Sequence, residues 1–419
     1  MMLIKIAFKS LLNRKVTLSL TVLSIAVSVM LLLGVEHVRK EAKESFGRTV
    51  SGVDLIVGAR TSQLNLLLYS VFHIGNATNN ISWPSYQRLA ANPKVAWSIP
   101  LSLGDSHRGY RVMGTSDDYF KYFRYGSKQL LGFVKGKPFE GVFDVVLGYE
   151  VAQQLRYQLG QKIVLAHGLG KSSFTKHDDK PFRVVGILKP TGTPVDQTLH
   201  VSLAGIEAIH LGWQNGVKTP GLELSAEQAL QHDLRPKTVT AFMLGLKSKM
   251  ATFQVQREIN KFKKEPLMAI LPGVALAELW QMMAGMEKLL LLISALVLIA
   301  SLLGMSTMLL ASMRERIAEM AVLRAVGASP WVIFLLIELE ALLIASAGIV
   351  FAMLGLWIAL VSSQDILSVR FGLFVSANLW SIETFNLFAV ILGATFMMAL
   401  IPAVGAYRSS LHVGLSQRK

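Results

Sequence analysis

Leu289 to Met313 reads LLLLISALVLIASLLGMSTMLLASM, a run without Asp, Glu, Lys or Arg. Coiled as a helix, it is long enough to cross a ~30 Å hydrocarbon core. Three further runs share that character: Val16 to Val35 near the N-terminus, then Ala341 to Gln364 and Thr384 to Tyr407 in the last third. Some 250 residues of mixed sequence separate the first run from the second. The chain therefore reads as an α-helical membrane protein with four transmembrane helices and a large mixed α/β extracytoplasmic domain between helices 1 and 2.

Charge sets the orientation. Lys and Arg number 42 against 27 Asp and Glu, a formal net charge of +15, in a chain that is 52% hydrophobic. In a soluble protein such an excess would suggest nucleic acid; beside four apolar spans the question is how it sorts across the bilayer. Lys5, Lys9, Arg14 and Lys15 precede the first span, Arg314, Arg316 and Arg324 lie between the second and third, and Arg408, Arg418 and Lys419 follow the fourth. An even number of spans puts all three clusters on one side, which the positive-inside rule makes cytoplasmic. The expected order is a cytoplasmic amphipathic helix over 1–15, spans over 16–36, 289–313, 331–361 and 384–407, an outer domain with stalk helices over 37–288, a cytoplasmic helix over 314–330, an outer loop over 362–383 and a cytoplasmic tail over 408–419. The outer domain is itself basic, but long domains translocate largely regardless of charge.

The first run is too long for the apolar region of a signal peptide, and Leu33-Gly34-Val35-Glu36-His37 offers no small-x-small cleavage site, so it reads as a retained anchor. Before it, Ile4, Ala7, Phe8, Leu11 and Leu12 recur at helical spacing opposite Lys5, Lys9 and Lys15, the pattern of a helix lying on the inner leaflet. Cysteine is absent, which excludes disulfides and thiolate metal sites.

Between the first two spans, Glu36 to Thr49 and Ala275 to Lys288 are helix-compatible and read as stalks continuing the spans. Short β-rich runs lie between them, among them Val53 to Val57, Val145 to Leu147, Lys162 to Leu165 and Phe182 to Leu188. A region of this size predicts two subdomains. Thr61 to Gln87 is unusual in having no acid and no lysine or arginine; its apolar centre, Leu64 to Ile74, suits either a buried core segment or an exposed surface for lipid, cargo or a partner.

Catalytic motifs are lacking. Gly168-Leu169-Gly170-Lys171-Ser172 imitates the end of a phosphate-binding loop, but Leu165 stands where the first glycine is required, so no ATP hydrolysis is expected on this chain. No hydrolase elbow or zincin motif occurs. His167, His177, His200 and His210 share a window with Asp178, Asp179 and Asp196, which could supply a cysteine-free metal site, but the spacings match no standard ligand pattern and solvated or hydrogen-bonded histidines are the favoured reading.

Arg314 to Ser329 reads RERIAEMAVLRAVGAS and precedes Pro330. Ile317, Met320, Ala321 and Arg324 fall on one helical face, Gly327 ends the helix, and Pro330 restarts the chain toward the third span. Such a helix suits docking into a groove of a soluble partner, and equally a re-entry loop closed by internal ion pairs. Glu338 and Glu340 open the third span, and an intramembrane acid is costly enough to mark function.

This segment, followed by Glu338, Glu340-Ala-Leu-Leu and Gly348, closely resembles the signature of the FtsX-like permease family, membrane subunits of ABC transporters that include MacB-like and lipoprotein-releasing proteins. Asp54 to Gly58 (DLIVG), Arg111 to Phe120 (RVMGTSDDYF), Gly136 to Phe139 (GKPF), Val145 to Gly148 (VVLG) with Ala152, Leu155 and Gly160, and Val184 to Leu188 (VVGIL) resemble the periplasmic core domain of MacB-like permeases. The resemblance implies a non-catalytic permease subunit in the bacterial inner membrane, paired with a second copy or paralogue and bound to separate ATPase subunits that carry ATP and Mg. It implies mechanotransmission, in which ATPase closure is relayed through Arg314, Glu315, Arg316, Glu319, Met320, Ala321, Arg324, Gly327 and Ala328 to the outer domain. No cofactor is expected on this chain itself. Further implied partners are membrane lipids and a periplasmic adaptor, cargo or substrate-binding protein, with no nucleic acid. Three function classes follow: export or extraction of a lipoprotein, lipid, peptide or amphiphile; a non-transporting relay that controls an outer hydrolase; and metal-linked export or handling. The full-size outer domain favours the first.

Overall fold

The computed structural model describes residues 14–167, 178–214, 217–218, 224–315, 322, 324–371 and 375–416. The chain divides into two compact units. One comprises Met1–Glu41, Ala284–Gln364 and Val375–Lys419, the other Ala42–Met283 and Asp365–Phe374. The expected amphipathic helix over 1–15 falls almost wholly outside the described residues.

Four long helices are present: α1 (Lys15–Thr49), α2 (Pro272–Glu315), α3 (Pro330–Phe371) and α4 (Ile382–Ser416). Each holds a stretch long and apolar enough to cross a membrane. In the first unit Leu20, Leu23 and Val27 of α1, Leu292 and Leu296 of α2, and Val350 and Leu354 of α3 stand exposed, as expected of side chains whose solvent is lipid. Ile25, Val29, Leu302, Met305, Ile344 and Ile391 are buried among the helices, joined by small and hydroxyl residues. A Cβ built on Gly348 would lie 2.6 Å from Ile25 Cγ2 and 3.0 Å from its Cβ, so glycine is what lets α3 approach α1 this closely.

Helices α1 and α2 run antiparallel and are fastened at intervals. Arg14 Nη2 donates to the Ser312 carbonyl at 3.2 Å and pairs with Glu315 at 3.0 Å. Farther along, Ser301 Oγ lies 3.0 Å from Ser24 Oγ and 2.6 Å from Ser28 Oγ, and beyond that Arg39 reaches Glu287 at 3.7 Å. Hydroxyls within an apolar span need partners, and each supplies the other's. Ser306 Oγ likewise donates to the Met398 carbonyl of α4 at 3.0 Å.

The second unit is built on one sheet of eleven strands: β1 (Leu55–Ala59), β2 (Val95–His107), β3 (Tyr110–Thr115), β4 (Phe133–Gly136), β5 (Asp144–Leu147), β6 (Lys162–Ile163), β7 (Ala166–His167), β8 (Phe182–Leu188), β9 (Thr198–Ser202), β10 (Ala241–Leu246) and β11 (Leu267–Ile270). Its order is β11-β1-β10-β2-β3-β9-β5-β8-β4, with β7 added beside β2 and β6 beside β8. The pairs β9–β3 and β8–β5 are parallel and the others antiparallel. Two subdomains were expected, but β2 joins what would have been separate sheets. Val95 to Leu101 pair with β10, while Leu101 to His107 pair with β3.

Three apolar clusters flank this sheet. The largest gathers Ile56, Ile99 and Met113 from strands with Leu66, Leu67 and Tyr69 from the helix Gln63–Val71. The acid-free stretch is thus largely core: Ser62 caps that helix by accepting from the Asn65 N–H, and Leu66, Leu67, Tyr69, Val71 and Phe72 are buried. The two stalk ends belong to the same cluster. Phe46 of α1 packs on Phe72 at 4.3 Å and edge-on against Trp280 of α2 at 5.7 Å, while Ala275 is fully buried.

Candidate functional site

The expected coupling segment begins where α2 ends. Arg314 and Glu315 form its last turn, and Glu315 is engaged by Arg14. Arg316, Glu319, Met320 and Ala321 lie outside the described residues. Beyond them a helical turn closes at Gly327, whose N–H donates to the Arg324 carbonyl at 3.0 Å and whose φ of +99° is ordinary only for glycine. Ala328 follows in an open stretch, and α3 starts at Pro330, where a missing N–H costs nothing.

Two apolar residues of this segment were not singled out in the sequence. Val322 is 63% exposed and Val326 84%, one turn apart on the same face. The signal was present as Val-x-x-x-Val, but the neighbouring Ile317, Met320 and Ala321 gave the same spacing. The two valines offer a small exposed apolar surface, whereas Arg324, two residues from each, lies off that face with its Nη1 buried.

Glu338 and Glu340 are both buried, at 3% and 2% exposure. Neither oxygen of Glu338 has a hydrogen-bond partner, and Arg324 Nη1 is likewise buried and unbonded, among the described residues. An ionised carboxylate in that condition is costly.

His200 and His210, the two histidines of the window whose side chains are described, meet different surroundings. His200, on β9, is completely buried and stacks on Tyr119 at 5.2 Å; neither ring nitrogen has a hydrogen-bond partner. Burial pushes its pKa down to about 3, helped by nearby His73 and opposed only weakly by the Val146 backbone. His210 sits 3.7 Å from Asp105; burial alone would lower its pKa, but the hydrogen bond and charge of Asp105, with Glu207, raise it. His167 pairs through its backbone with Asp105 at the β7–β2 contact, and His177 lies outside the described residues. The acids of the window have other work. Asp179 pairs with fully buried Lys180 at 3.1 Å, and Asp196 accepts from the N–H groups of Thr191 and Gly192. Among the described residues no group of three or more His, Asp or Glu side chains could hold a metal.

A further feature was not foreseen. In the first unit, α1, α3, α4 and the chain before α4 enclose a cavity of about 330 Å³. Leu33, Leu356, Leu387 and Val390 form apolar walls, whereas Glu36, Lys40 and Glu383 supply charge, the last two paired at 3.0 Å. Sequence displays these charges only as residues flanking two spans distant in the chain.

Comparison with known proteins matches the chain in two parts, the first taking in α1 as well as the sheet. Residues 16–262 match the MacB-like periplasmic core domain, and residues 291–411 match the FtsX-like permease C-terminal domain. The periplasmic region of MacB from Actinobacillus actinomycetemcomitans is similar at 11% identity over 55% of this chain and 94% of that one, with a TM-score of 0.33. The extracellular domain of the noncanonic ABC-type transporter YknZ from Gram-positive bacteria is similar at 12% identity over 52% of this chain and 98% of that one, with a TM-score of 0.30. No curated protein matches. With both domains matched in order along most of its length, the chain belongs to the MacB/FtsX-like family of ABC transporter permeases, which work with an ABC ATPase subunit.

Proposed function

We propose that this chain is a permease subunit that relays ATP hydrolysis on a separate ATPase into a conformational change of its α/β domain, on the periplasmic side of the bacterial inner membrane, for export or extraction of an amphiphile such as a lipoprotein, lipid or peptide. The observation that carries this reading is the unbroken length of α1 and α2. Helix α2 has 44 residues. At ~1.5 Å per residue it extends roughly 66 Å, about twice a ~30 Å hydrocarbon core. It begins two residues after β11, with Ala275 in the sheet's core cluster, and ends at Arg314 and Glu315, where the coupling segment starts. A helix without a break carries displacement at one end to the other, because bending it requires disrupting backbone hydrogen bonds.

The work of each residue follows from its place. Val322 and Val326 offer the ATPase an apolar contact; Arg14 ties the cytoplasmic ends of α1 and α2 together; Phe46 and Trp280 hold the other ends. ATP and Mg would be bound by the ATPase. The cavity bordered by Lys40 and Glu383 supports an amphiphilic cargo, since it joins apolar walls to a polar mouth.

Met283→Pro tests the relay. The side chain is exposed, so the principal effect is loss of one helix hydrogen bond and a kink in α2. With the permease–ATPase complex in nanodiscs, the variant should keep ATPase association but lose the ATP-dependent change in amide hydrogen exchange across the α/β domain. A wild-type exchange response in the kinked protein would defeat the rigid-relay mechanism.

A further inference from the structure

The second unit holds a cavity of about 420 Å³ beneath the loop that follows the helix Gln63–Val71. His73, Asn76, Asn80, Leu103 and Arg111 line it, and among the described residues no carboxylate contributes to its wall. Among the described residues Arg111 is the one formally charged residue there. Its Nη2 donates to the Gly75 carbonyl at 2.7 Å and its Nη1 to Asn76 Oδ1 at 3.3 Å, and it makes no ion pair among the described residues. Two neutral acceptors leave most of a guanidinium's five N–H donors unused. Burial alone lowers the Arg111 pKa. A partly desolvated cation without a counter-charge is costly to maintain, and an oxyanion arriving in the cavity would relieve that cost.

His73 adds a second recognition element. Its backbone is left-handed at φ +55°, which places the ring beside β9, where Nδ1 lies 2.9 Å from Thr198 Oγ1. The single Thr198 hydroxyl proton is committed to the Pro194 carbonyl at 2.8 Å. Thr198 can therefore only accept, so Nδ1 carries the imidazole proton and Nε2 is a bare acceptor. Burial and the neighbouring Arg111 lower the His73 pKa to about 4, so that arrangement holds at neutral pH. Asn76 and Asn80 provide carboxamides that both donate and accept.

We propose that this cavity is a binding site for a small oxyanion, a carboxylate or phosphate that also bears an N–H or O–H donor, with Arg111 holding the oxyanion, His73 Nε2 accepting from the donor, and the asparagines orienting the remainder. The volume lies in the range of small-ligand pockets. The site is independent of the relay between ATPase and α/β domain, and its failure would leave that relay untouched. It also gives the acid-free stretch Thr61 to Gln87 a use besides the core: a carboxylate on this loop would compete for Arg111.

Calorimetric titration of the full-length protein in nanodiscs with glycerol 3-phosphate and with glutamate tests the site. Wild-type protein should bind at least one of the two saturably. Arg111→Gln should weaken that binding by about tenfold to a hundredfold, the size of a lost charge-assisted hydrogen bond, and Arg111→Lys should weaken it less. Asn80→Trp, which fills the cavity from an exposed position and leaves Arg111 in place, should also abolish binding and serves if Arg111→Gln fails to fold. Competition by phosphatidylglycerol nanodiscs, absent with phosphatidylcholine, would identify a lipid headgroup as the source; equal binding in both would identify a free solute. Absence of saturable binding to either probe at millimolar concentration, or binding unchanged in both Arg111→Gln and Asn80→Trp, would overturn the proposal.

Discussion

At the scale of single residues, His200 shows how far chemistry depends on neighbours. Its ring is sealed against Tyr119 and Phe120, with centroids at 5.2 and 6.1 Å, and its native pKa of about 3 lies far below the ordinary 6.5. Between those values the unfolded chain binds a proton that the native chain excludes, so stability is fully present above pH 6.5 and is lost as pH falls. At pH 5 the loss from this one group is about 2 kcal/mol. His73, also lowered, acts in the same direction. Asp196 opposes them: burial raises its pKa to about 6 despite hydrogen bonds from Thr191 and Gly192, so its contribution falls as pH rises from about 4 through 6. His200→Leu should therefore reduce the drop in melting temperature between pH 7 and pH 5; an acid shift equal to wild type would show that His200 is not held neutral. As one of four histidines near three aspartates, the residue looked like a potential ligand. Sequence could not show that its wall comes from the helix after β3, or that Asp179 and Asp196 are engaged by Lys180 and by a loop.

At the scale of elements, uninterrupted apolar length made the four spans legible, because lipid leaves backbone groups no partner outside the helix. The extent of the helices was less legible. Span three was expected to end at 361, yet α3 continues to Phe371, where Asp365 and Arg370 had suggested a loop. Charge ends an apolar run but does not end a helix. The segment proposed for coupling lies mostly outside the described residues, and its pattern did not single out Val322 and Val326, the exposed apolar residues that are described. Val326 supplies a direct test because its side chain is 84% exposed. Val326→Asp should change the permease's own stability by less than about 0.5 kcal/mol, the usual range for a surface substitution. Docked against an ATPase, the new carboxylate would be buried without a partner, a cost of about 3–5 kcal/mol. Copurification of the ATPase should then be lost while detergent-solubilised permease retains its melting temperature. A complex of wild-type stability would show that this face points away from the ATPase.

At the scale of the whole molecule, sequence revealed an α/β domain inserted between spans but missed its unity. The single sheet depends on β2 pairing with β10 along one half and β3 along the other, a choice made between strands over a hundred residues apart. Topology across the membrane is more local, since it follows from where cations flank the spans. Arg14 and Lys15, Arg314 and Arg324, and Arg408 stand at successive ends of α1, α2, α3 and α4 that an up-and-down arrangement brings to one face. Moving those ends outward would place every cluster against the orientation bias at once, whereas the positive charge of the large domain has little influence on its translocation. Reporters fused at Met1, inserted near Ala328 and fused at Lys419 should therefore be active only in the cytoplasm, and one inserted near Lys171 only outside it. Cytoplasmic activity at Lys171 would require an odd number of crossings before it to be wrong, and with it the assignment of α1 as a spanning helix. Outside activity near Ala328 would remove the coupling segment from reach of any ATPase and overturn the relay as well as the topology.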